Sequence, residues 1–176
     1  TAGDYIVTIT DNNGCSIVKQ TSIDQAGDLL VNVDQMTNVS CNGGNDGAIL
    51  ISVEGGTAPY AYNWNNGATT ANLSNLTAGE YTGDITDANG CSIAATVTIS
   101  EPDAITATLD VTNVACNGGD NGATATSVNG GTAPYSYNWS NGSTQPNINS
   151  LTAGDYIVTI TDNNGCSIVK QTSIDQ

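Results

Sequence analysis

The sequence predicts an all-β protein built from tandem β-sandwiches that are arranged end to end. Short segments that alternate apolar and polar residues, such as residues 29–36, recur along the 176-residue chain and are typical of half-buried strands. Clusters of Gly, Asn, Asp and Pro separate these segments at intervals of about 8–12 residues, as they do in β-sandwiches. No segment shows a helical periodicity that lasts beyond two turns.

The chain is an internal repeat with a period of about 75 residues. Trp64 and Trp139 are 75 residues apart, and GGTAPY, LTAG and NGC recur around them at the same spacing. Residues 1–25 are identical to residues 152–176, at an offset of 151 residues. We therefore expect residues 1–25 to be the C-terminal strand hairpin of a preceding repeat, followed by complete repeats at 26–101 and 102–176. Such identity predicts a long array of which this chain is a window.

The first complete repeat is expected to begin with two strands. Residues 29–36 alternate apolar and polar side chains, and residues 48–53 are rich in β-branched side chains. The Gly- and Asn-rich residues 41–47 between them predict a turn. GGTAP at residues 55–59 ends the second strand, because two glycines and a proline do not continue a central strand.

The second half of the repeat supplies the remaining strands. Tyr60, Tyr62 and Trp64 alternate with other residues, which places them on one face of a third strand. An edge segment and a further strand follow, and a DANG turn then joins the last two strands into a hairpin; these elements are predicted at residues 68–76, 80–86 and 92–99. The repeat at 102–176 follows the same order.

Seven short strands in this order predict an immunoglobulin-like sandwich of the PKD or fibronectin type III kind. Trp64 and Trp139 are then expected between the two sheets, and LTAGEY and LTAGDY fit a tyrosine corner. Gly83 and Asp84 stand where the sister repeat has Val and Thr, and they predict a β-bulge. The expected structural core is aromatic and consists of Tyr60, Tyr62, Trp64, Tyr81, Tyr135, Tyr137, Trp139 and Tyr156.

The charge balance excludes some classes of partner. Seventeen acidic residues against two basic ones give a formal net charge of −15. We expect no nucleic-acid partner, because phosphate binding requires clustered Lys and Arg. We also expect no membrane insertion, because no apolar segment is long enough to span a bilayer. The dispersed acids favour a solubilising coat over a cation-binding surface, and both interpretations stay open.

The pattern C-N-G-G … G-G-T-A-P-Y-x-Y-N-W-x-N-G … L-T-A-G-x-Y … T-D-x-N-G-C resembles the SprB repeat of very large surface adhesins of gliding, Bacteroidota-type bacteria. The resemblance extends over both complete repeats and residues 1–25. It implies an exported cell-surface filament that the type IX system secretes and the gliding machinery moves. The partners that the resemblance implies are the gliding and type IX secretion machinery. The repeat itself predicts contacts with neighbouring repeats of the same polypeptide, and a surface polysaccharide is a further candidate partner.

The five cysteines are interpreted as disulfide partners, since a surface location favours disulfides and a zinc site would need His or CxxC ligands. Two pairings stay open. The intradomain pairs Cys41–Cys91 and Cys116–Cys166 each close a 50-residue loop, which would contribute about 4 kcal/mol. Strand parity instead places Cys41 and Cys91 at opposite poles of a repeat and favours an interdomain Cys41–Cys166 bond, because a disulfide needs Cα atoms within about 7 Å. Cys15, Cys91 and Cys116 would then have partners outside the window.

Neither a cofactor nor an enzymatic activity is expected. Calcium ligation by acids in the Gly- and Asn-rich turns is an alternative to hairpin chemistry, but the EF-hand pattern is missing; the acids concerned are Asp46, Asp87, Asp120 and Asp162. The chain has no His, no GxSxG elbow and no Gly-rich phosphate loop, so no catalytic residues are predicted.

The sequence therefore predicts a structural function, as a stalk or filament segment of a repetitive cell-surface adhesin used in gliding motility and attachment. One alternative is a carbohydrate-binding β-sandwich array in which each repeat holds one sugar through exposed Tyr or Asn; burial of Trp64 and Trp139 would count against it. Tyr60, Tyr62 and Trp64 could also stack on sugars, but their alternation on one face favours core packing. The other alternative is a set of spacer modules of an extracellular hydrolase.

Overall fold

The computed structural model describes residues 1–176, and all of its regular elements are β-strands. No helix in it has the length and apolarity needed to cross a membrane. The strands in chain order are β1 (Gly3–Thr10), β2 (Ser16–Ile23), β3 (Leu30–Thr37), β4 (Gly47–Glu54), β5 (Ala61–Trp64), β6 (Leu73–Leu76), β7 (Gly79–Thr86), β8 (Ser92–Ile99), β9 (Thr106–Thr112), β10 (Gly122–Asn129), β11 (Ser136–Trp139), β12 (Ile148–Leu151), β13 (Gly154–Thr161) and β14 (Ser167–Ile174).

Each complete repeat folds into two three-stranded sheets. The first repeat has the sheets β3-β4-β6 and β5-β7-β8, and the second has β9-β10-β12 and β11-β13-β14. Strands β1 and β2 form a separate two-stranded antiparallel hairpin. The predicted class of tandem immunoglobulin-like β-sandwiches is confirmed.

The expected count of seven strands per repeat is wrong, because each repeat has six. The missing strand lies in the predicted edge segment, where the chain wraps around the tryptophan instead of forming a ladder. The backbone N–H of Trp64 donates to the carbonyl of Ala68 at 3.0 Å, and its indole Nε1 donates to the carbonyl of Thr70 at 3.0 Å. Trp139 makes the same two bonds, to Ser143 and Gln145. The tryptophan thus uses the hydrogen-bonding groups that a seventh strand would have needed.

The residues form two compact units. The first comprises Thr1–Asp34, Ile51–Ala71 and Thr82–Thr96, and the second comprises Gln35–Leu50, Asn72–Tyr81 and Val97–Gln176. The second unit therefore holds the whole 102–176 repeat together with parts of the repeat before it. The domain boundaries after residues 25 and 101 stay a prediction from the repeat.

The core of the 102–176 repeat is mainly aliphatic. Val158 and Ile160 alternate inward on β13 and are completely buried, as a strand with one buried face requires. Trp139 is buried among them, and three tyrosines pack half-buried around this cluster: Tyr135, Tyr137 and Tyr156. The other buried members are Val114, Ile148, Leu151 and Ile174. The aromatic prediction missed these aliphatic positions, although their alternation is visible in the sequence.

In the 26–101 repeat, Trp64 and Tyr81 are buried, whereas Tyr60 and Tyr62 are half-buried. Tyr81 donates its hydroxyl to the carbonyl of Thr77 at 3.0 Å, and Tyr156 donates to Thr152 at 3.1 Å. Both tyrosine corners are therefore formed.

The prediction of a β-bulge at Gly83 and Asp84 is wrong for the pairing of β7 with β5. Asn63 faces Asp84 and Trp64 faces Gly83, without a shift in register. A Cβ atom at Gly83 would lie only 2.7 Å from two ring carbons of Trp64. Glycine is present because the indole occupies the space of a side chain. The sister repeat has Val158 at this position, opposite Trp139 in the same register.

The identical segments 1–25 and 152–176 form the same hairpin in different surroundings. Gly3 pairs with Ile23 as Gly154 pairs with Ile174, and the register is the same along both hairpins. Ile23 is 52% exposed, whereas Ile174 is 2% exposed. The two identical segments therefore have the same register, and burial of the apolar face depends on the other strands of a sandwich.

Candidate functional site: a disulfide-linked repeat junction

One disulfide joins the two complete repeats, between Cys41 and Cys166. Its Cα atoms are 5.7 Å apart, and the bond spans 125 residues of sequence. Cys41 lies in the loop between β3 and β4, which we call the first loop of its repeat. Cys166 follows the turn between β13 and β14, which we call the last hairpin turn. Both belong to the second compact unit.

The last hairpin turn is organised by Asp162. This carboxylate is buried and accepts three backbone hydrogen bonds, from Thr132, Asn164 and Cys166, each at 2.9 Å. Burial by itself raises the pKa of Asp162, but the donated N–H bonds outweigh it, and the pKa lies below its ordinary value. The carboxylate therefore fixes the backbone on both sides of the turn and positions Cys166.

Asp87 has the same role in the last hairpin turn of the 26–101 repeat. It accepts N–H bonds from Cys91, Thr57 and Asn89 at 2.8–2.9 Å. The bond from Cys91 is the main cause that lowers the pKa of Asp87. The two turns are thus built alike, although one reads DANGC and the other DNNGC.

The first loop is organised by a side-chain acceptor six residues after Ser40. Asp46 Oδ1 accepts the N–H of Ser40 at 2.9 Å, and hydrogen bonds from Ser40 lower the pKa of Asp46. In the sister repeat the corresponding acceptor is Asn121, which takes the N–H of Ala115 at 3.0 Å. A neutral amide replaces the carboxylate, so the loop requires an oxygen acceptor and not a charge.

The linker between the repeats is clamped by the first loop. Val39 N–H donates to the carbonyl of Ser100 at 2.9 Å, and Ser100 N–H donates to Asn38 Oδ1 at 3.0 Å. The carboxylate of Glu101 accepts the N–H of Gly43 at 2.6 Å and the amide of Asn42 at 3.1 Å. Cys41 is consequently held at the end of its repeat where the chain leaves.

The GG pair of GGTAP clamps the other end of the linker. Gly131 N–H donates to the carbonyl of Asp103 at 2.7 Å. Gly130 has a φ of +74°, and a Cβ atom there would lie 2.1 Å from the carbonyl oxygen of Ala104. Only glycine combines this backbone conformation with so close a passage of the linker. The two glycines therefore hold the linker against the 102–176 repeat, and they also end a strand.

A hydrogen bond accompanies the disulfide across the junction. Asn164 Nδ2 donates to the carbonyl of Ser40 at 3.0 Å and also to Thr132 Oγ1 at 3.1 Å within its own repeat. Cys166 Sγ lies 3.4 Å from the same carbonyl. That approach is a contact and not a hydrogen bond, because a disulfide sulfur carries no proton.

Strand length explains why the cysteines of the 102–176 repeat are not paired with each other. Cys166 lies at the start of β14, whereas the first loop around Cys116 is bonded to the end of that strand, through Val114 N–H and the carbonyl of Asp175 at 2.9 Å. The eight residues of β14 span roughly 26 Å. This distance is far beyond the Cα separation that a disulfide allows. Cys15, Cys91 and Cys116 are free and exposed.

The acids considered for calcium lie in different places and do not converge. Asp87 and Asp162 direct their carboxylates at backbone N–H groups in two separate turns. Asp46 caps the first loop, and Asp120 is exposed beside the residue that caps the sister loop. No group of three or more metal-ligating side chains occurs in the structure.

The tryptophans of the aromatic row are each only 2% exposed. Trp64 and Trp139 therefore have no free ring face for stacking on a sugar, which counts against the carbohydrate-binding alternative in its aromatic form. Tyr60 and Tyr135 donate their hydroxyls to Gly55 and Gly130 at 2.6 Å, so they support the GG clamp.

Several solved structures of immunoglobulin-domain proteins resemble the chain at low identity. An eight-domain fragment of Down Syndrome Cell Adhesion Molecule is 12% identical over 98% of this chain, with a TM-score of 0.44, and the chain spans 28% of its length. The amphioxus IgVJ-C2 molecule is 18% identical over 87% of this chain and 99% of its own, with a TM-score of 0.35. Similarity at these scores does not bear on function. No curated protein matches the chain.

The SprB repeat is the family whose model matches, at residues 33–69 and 108–144. Each match covers the front of one complete repeat, including the first-loop cysteine, the GG clamp and the tryptophan. The SprB repeats, the β-sandwiches and the disulfide together indicate an extracellular or surface module of the adhesin type. Two segments of the chain, one in each complete repeat, therefore match the SprB repeat.

Proposed function

We propose that this chain is a load-bearing stalk segment of a cell-surface adhesin used in gliding motility and attachment. The observation that carries the proposal is the junction. Successive repeats are joined by the peptide linker, by the Cys41–Cys166 bond and by hydrogen bonds that clamp both ends of the linker. A disulfide that crosses from one repeat to the next limits separation of the repeats under tension.

The composition supports the same role. A net charge of −15 keeps neighbouring filaments apart on a crowded surface. We propose that the segment acts without enzymatic activity or a bound cofactor, since the sequence has no His, no GxSxG elbow and no Gly-rich phosphate loop. Its partners are the neighbouring repeats and, through the rest of the protein, the gliding and secretion machinery.

Single-molecule stretching tests the load-bearing role. When the chain is pulled from its two ends, force passes through the disulfide and bypasses the 125 residues that the bond spans. Reduction should therefore lengthen the fully stretched chain by about 40–45 nm, at 3.3–3.6 Å per residue. Equal contour lengths under oxidising and reducing conditions would contradict the proposal.

The cellular role requires a separate test. Antibodies raised against the chain should label the surface of intact gliding cells, and removing repeats from the adhesin should shorten its reach and reduce gliding. Label that appears only after the cells are permeabilised would rule out a surface stalk.

A further inference from the structure

We propose that Cys116 and Cys91 are the two halves of a second junction, in which the first loop of a 102–176-type repeat docks on the last hairpin turn of the following 26–101-type repeat. The occupant of the Cys91 surface is therefore a further copy of this chain's own repeat. This inference does not depend on a role in gliding.

The 26–101 repeat has an open cavity for such a loop at the end where the preceding linker enters it; we call this cavity the seat. At the observed junction, a cavity is lined by linker residues Pro102 and Asp103, by Asp162 and Cys166, and by residues of the docked first loop, Cys41 and Asn42. A matching cavity in the first compact unit is lined by linker residues Ala26 and Gly27 together with Asp87 and Cys91. The linker and hairpin positions correspond, but no first-loop residue completes the second cavity.

The linker spacing of the two sites is the same. Asp103, four residues after the end of β8 at Ile99, offers its carbonyl to Gly131 N–H. Gly27, four residues after the end of β2 at Ile23, offers its carbonyl to Gly56 N–H at 2.9 Å. A repeat that ends at β2 therefore reaches the seat with the same chain length as the repeat that ends at β8.

Asn89 provides the matching hydrogen-bond donor. It corresponds to Asn164, whose amide bonds both to a threonine of its own repeat and to the carbonyl of Ser40 in the docked loop. Asn89 makes the first of these bonds, to Thr57 Oγ1 at 2.9 Å. Its second amide hydrogen is available for a backbone carbonyl of an incoming loop. In the loop around Cys116, the residue that corresponds to Ser40 is Ala115.

The loop around Cys116 is already in the docking conformation. Val114 N–H bonds the carbonyl of Asp175, and Asp175 N–H bonds Asn113 Oδ1, as Val39 and Ser100 do at the formed junction. Gly118 N–H donates to Gln176 Oε1 at 3.1 Å, in the place where Gly43 donates to Glu101. Cys116 is exposed at the tip of this loop. Both partners of the proposed junction are thus formed before they meet.

Bond formation converts two thiols into one disulfide. The thiols of Cys116 and Cys91 lose two protons and two electrons, and a disulfide oxidant such as oxidised glutathione accepts the electrons and is reduced to two thiols. Bonds of this kind would overlap along the array, because each begins before the previous one ends. Every peptide bond within the array would then be bridged by at least one disulfide, so that a single backbone cut would not sever it.

The test is the full chain extended by a second copy of residues 26–176. The new join, Gln176 to Ala26, repeats the native Gln25–Ala26 sequence. After refolding in oxidised and reduced glutathione, free thiols are alkylated, and the disulfide-linked peptides are identified by mass spectrometry without reduction. The Cys41–Cys166 bond is an internal control for oxidation.

We expect a peptide that links Cys116 of the first copy to Cys91 of the second. The free-thiol count should then equal the three of the original chain, whereas unjoined cysteines would raise it by two. An N89A variant should form the link more slowly, while Cys41–Cys166 forms at the original rate. The proposal is overturned if Cys116 stays alkylated while Cys41–Cys166 is complete, or if Cys116 is linked to Cys166 of its own repeat.

Discussion

Removing the junction disulfide in a C41S/C166S variant should destabilise the 102–176 repeat by about 4 kcal/mol. The sequence separation of 125 residues overstates the relevant loop, because Glu101 stays 2.6 Å from Gly43 while the preceding repeat is folded. Unfolding of the last repeat alone therefore frees a loop from Glu101 to Cys166, about 65 residues, for which the chain-entropy relation yields about 4.3 kcal/mol. For a domain of this size, that loss lowers the melting temperature by about 16–32 °C.

Differential scanning calorimetry of the oxidised chain and the variant measures the shift. Trp139, buried in the affected repeat, reports by fluorescence which transition has moved. The control is C91S/C116S, which replaces two exposed free cysteines and should leave the melting temperature unchanged. A loss below about 1 kcal/mol in C41S/C166S, or an equal loss in the control, would refute the loop argument.

Four further results are expected. G83V should destabilise the 26–101 repeat by about 1–3 kcal/mol, because the new Cβ atom would lie 2.7 Å from the Trp64 ring. The control D84V, on the exposed side of β7, should have little effect. Equal losses of unfolding free energy for the two variants in chemical denaturation would contradict this packing. Y81F should lower the free energy of unfolding by about 1 kcal/mol, because it removes the hydrogen bond to Thr77. Y62F is the control, since Tyr62 does not make that bond. If Y81F has the same melting temperature as the parent chain, the tyrosine corner does not stabilise the repeat. The pKa of Asp87 and of Asp162 is lowered in the folded state, so their contribution to stability is present above the unfolded value near 3.9 and is lost as pH falls through the folded pKa. D87N/D162N should therefore reduce the fall of the melting temperature in that acidic range. An unchanged profile of melting temperature against pH would argue against a stabilising role of these carboxylates. Millimolar calcium and EGTA should produce the same melting temperature, since the carboxylates already accept backbone N–H bonds, and a rise with calcium would revive the metal alternative.

The elements that were predictable are those with a local cause. Residues 1–25 and 152–176 form the same hairpin with the same register, although one is exposed and the other is packed, as the alternation and the Asn-Gly turn predict. The tyrosine corners are equally local, because each hydroxyl bonds a carbonyl four residues upstream.

Errors arose where a distant side chain decided the backbone. Gly83 looked like a weak point that would bulge, but it is the position where the indole of Trp64 needs space, and nothing near Gly83 in the sequence states this. The absent seventh strand has the same origin, because the segment after Trp64 satisfies the tryptophan's N–H groups. The motif also predicted an aromatic core, whereas aliphatic residues such as Val158 and Ile160 make up much of the core of the 102–176 repeat.

By itself, the sequence determined the repeat, the all-β class, the hairpins and the resemblance to SprB repeats, because periodicity and turn chemistry are properties of neighbouring residues. It left the cysteine pairing between two alternatives. Tertiary structure decided that question, since a disulfide depends on two Cα atoms lying within a few ångströms, and β14 separates the ends of its repeat by roughly 26 Å. Only the folded linker, clamped between the first loop and the GG pair, brings Cys41 to Cys166.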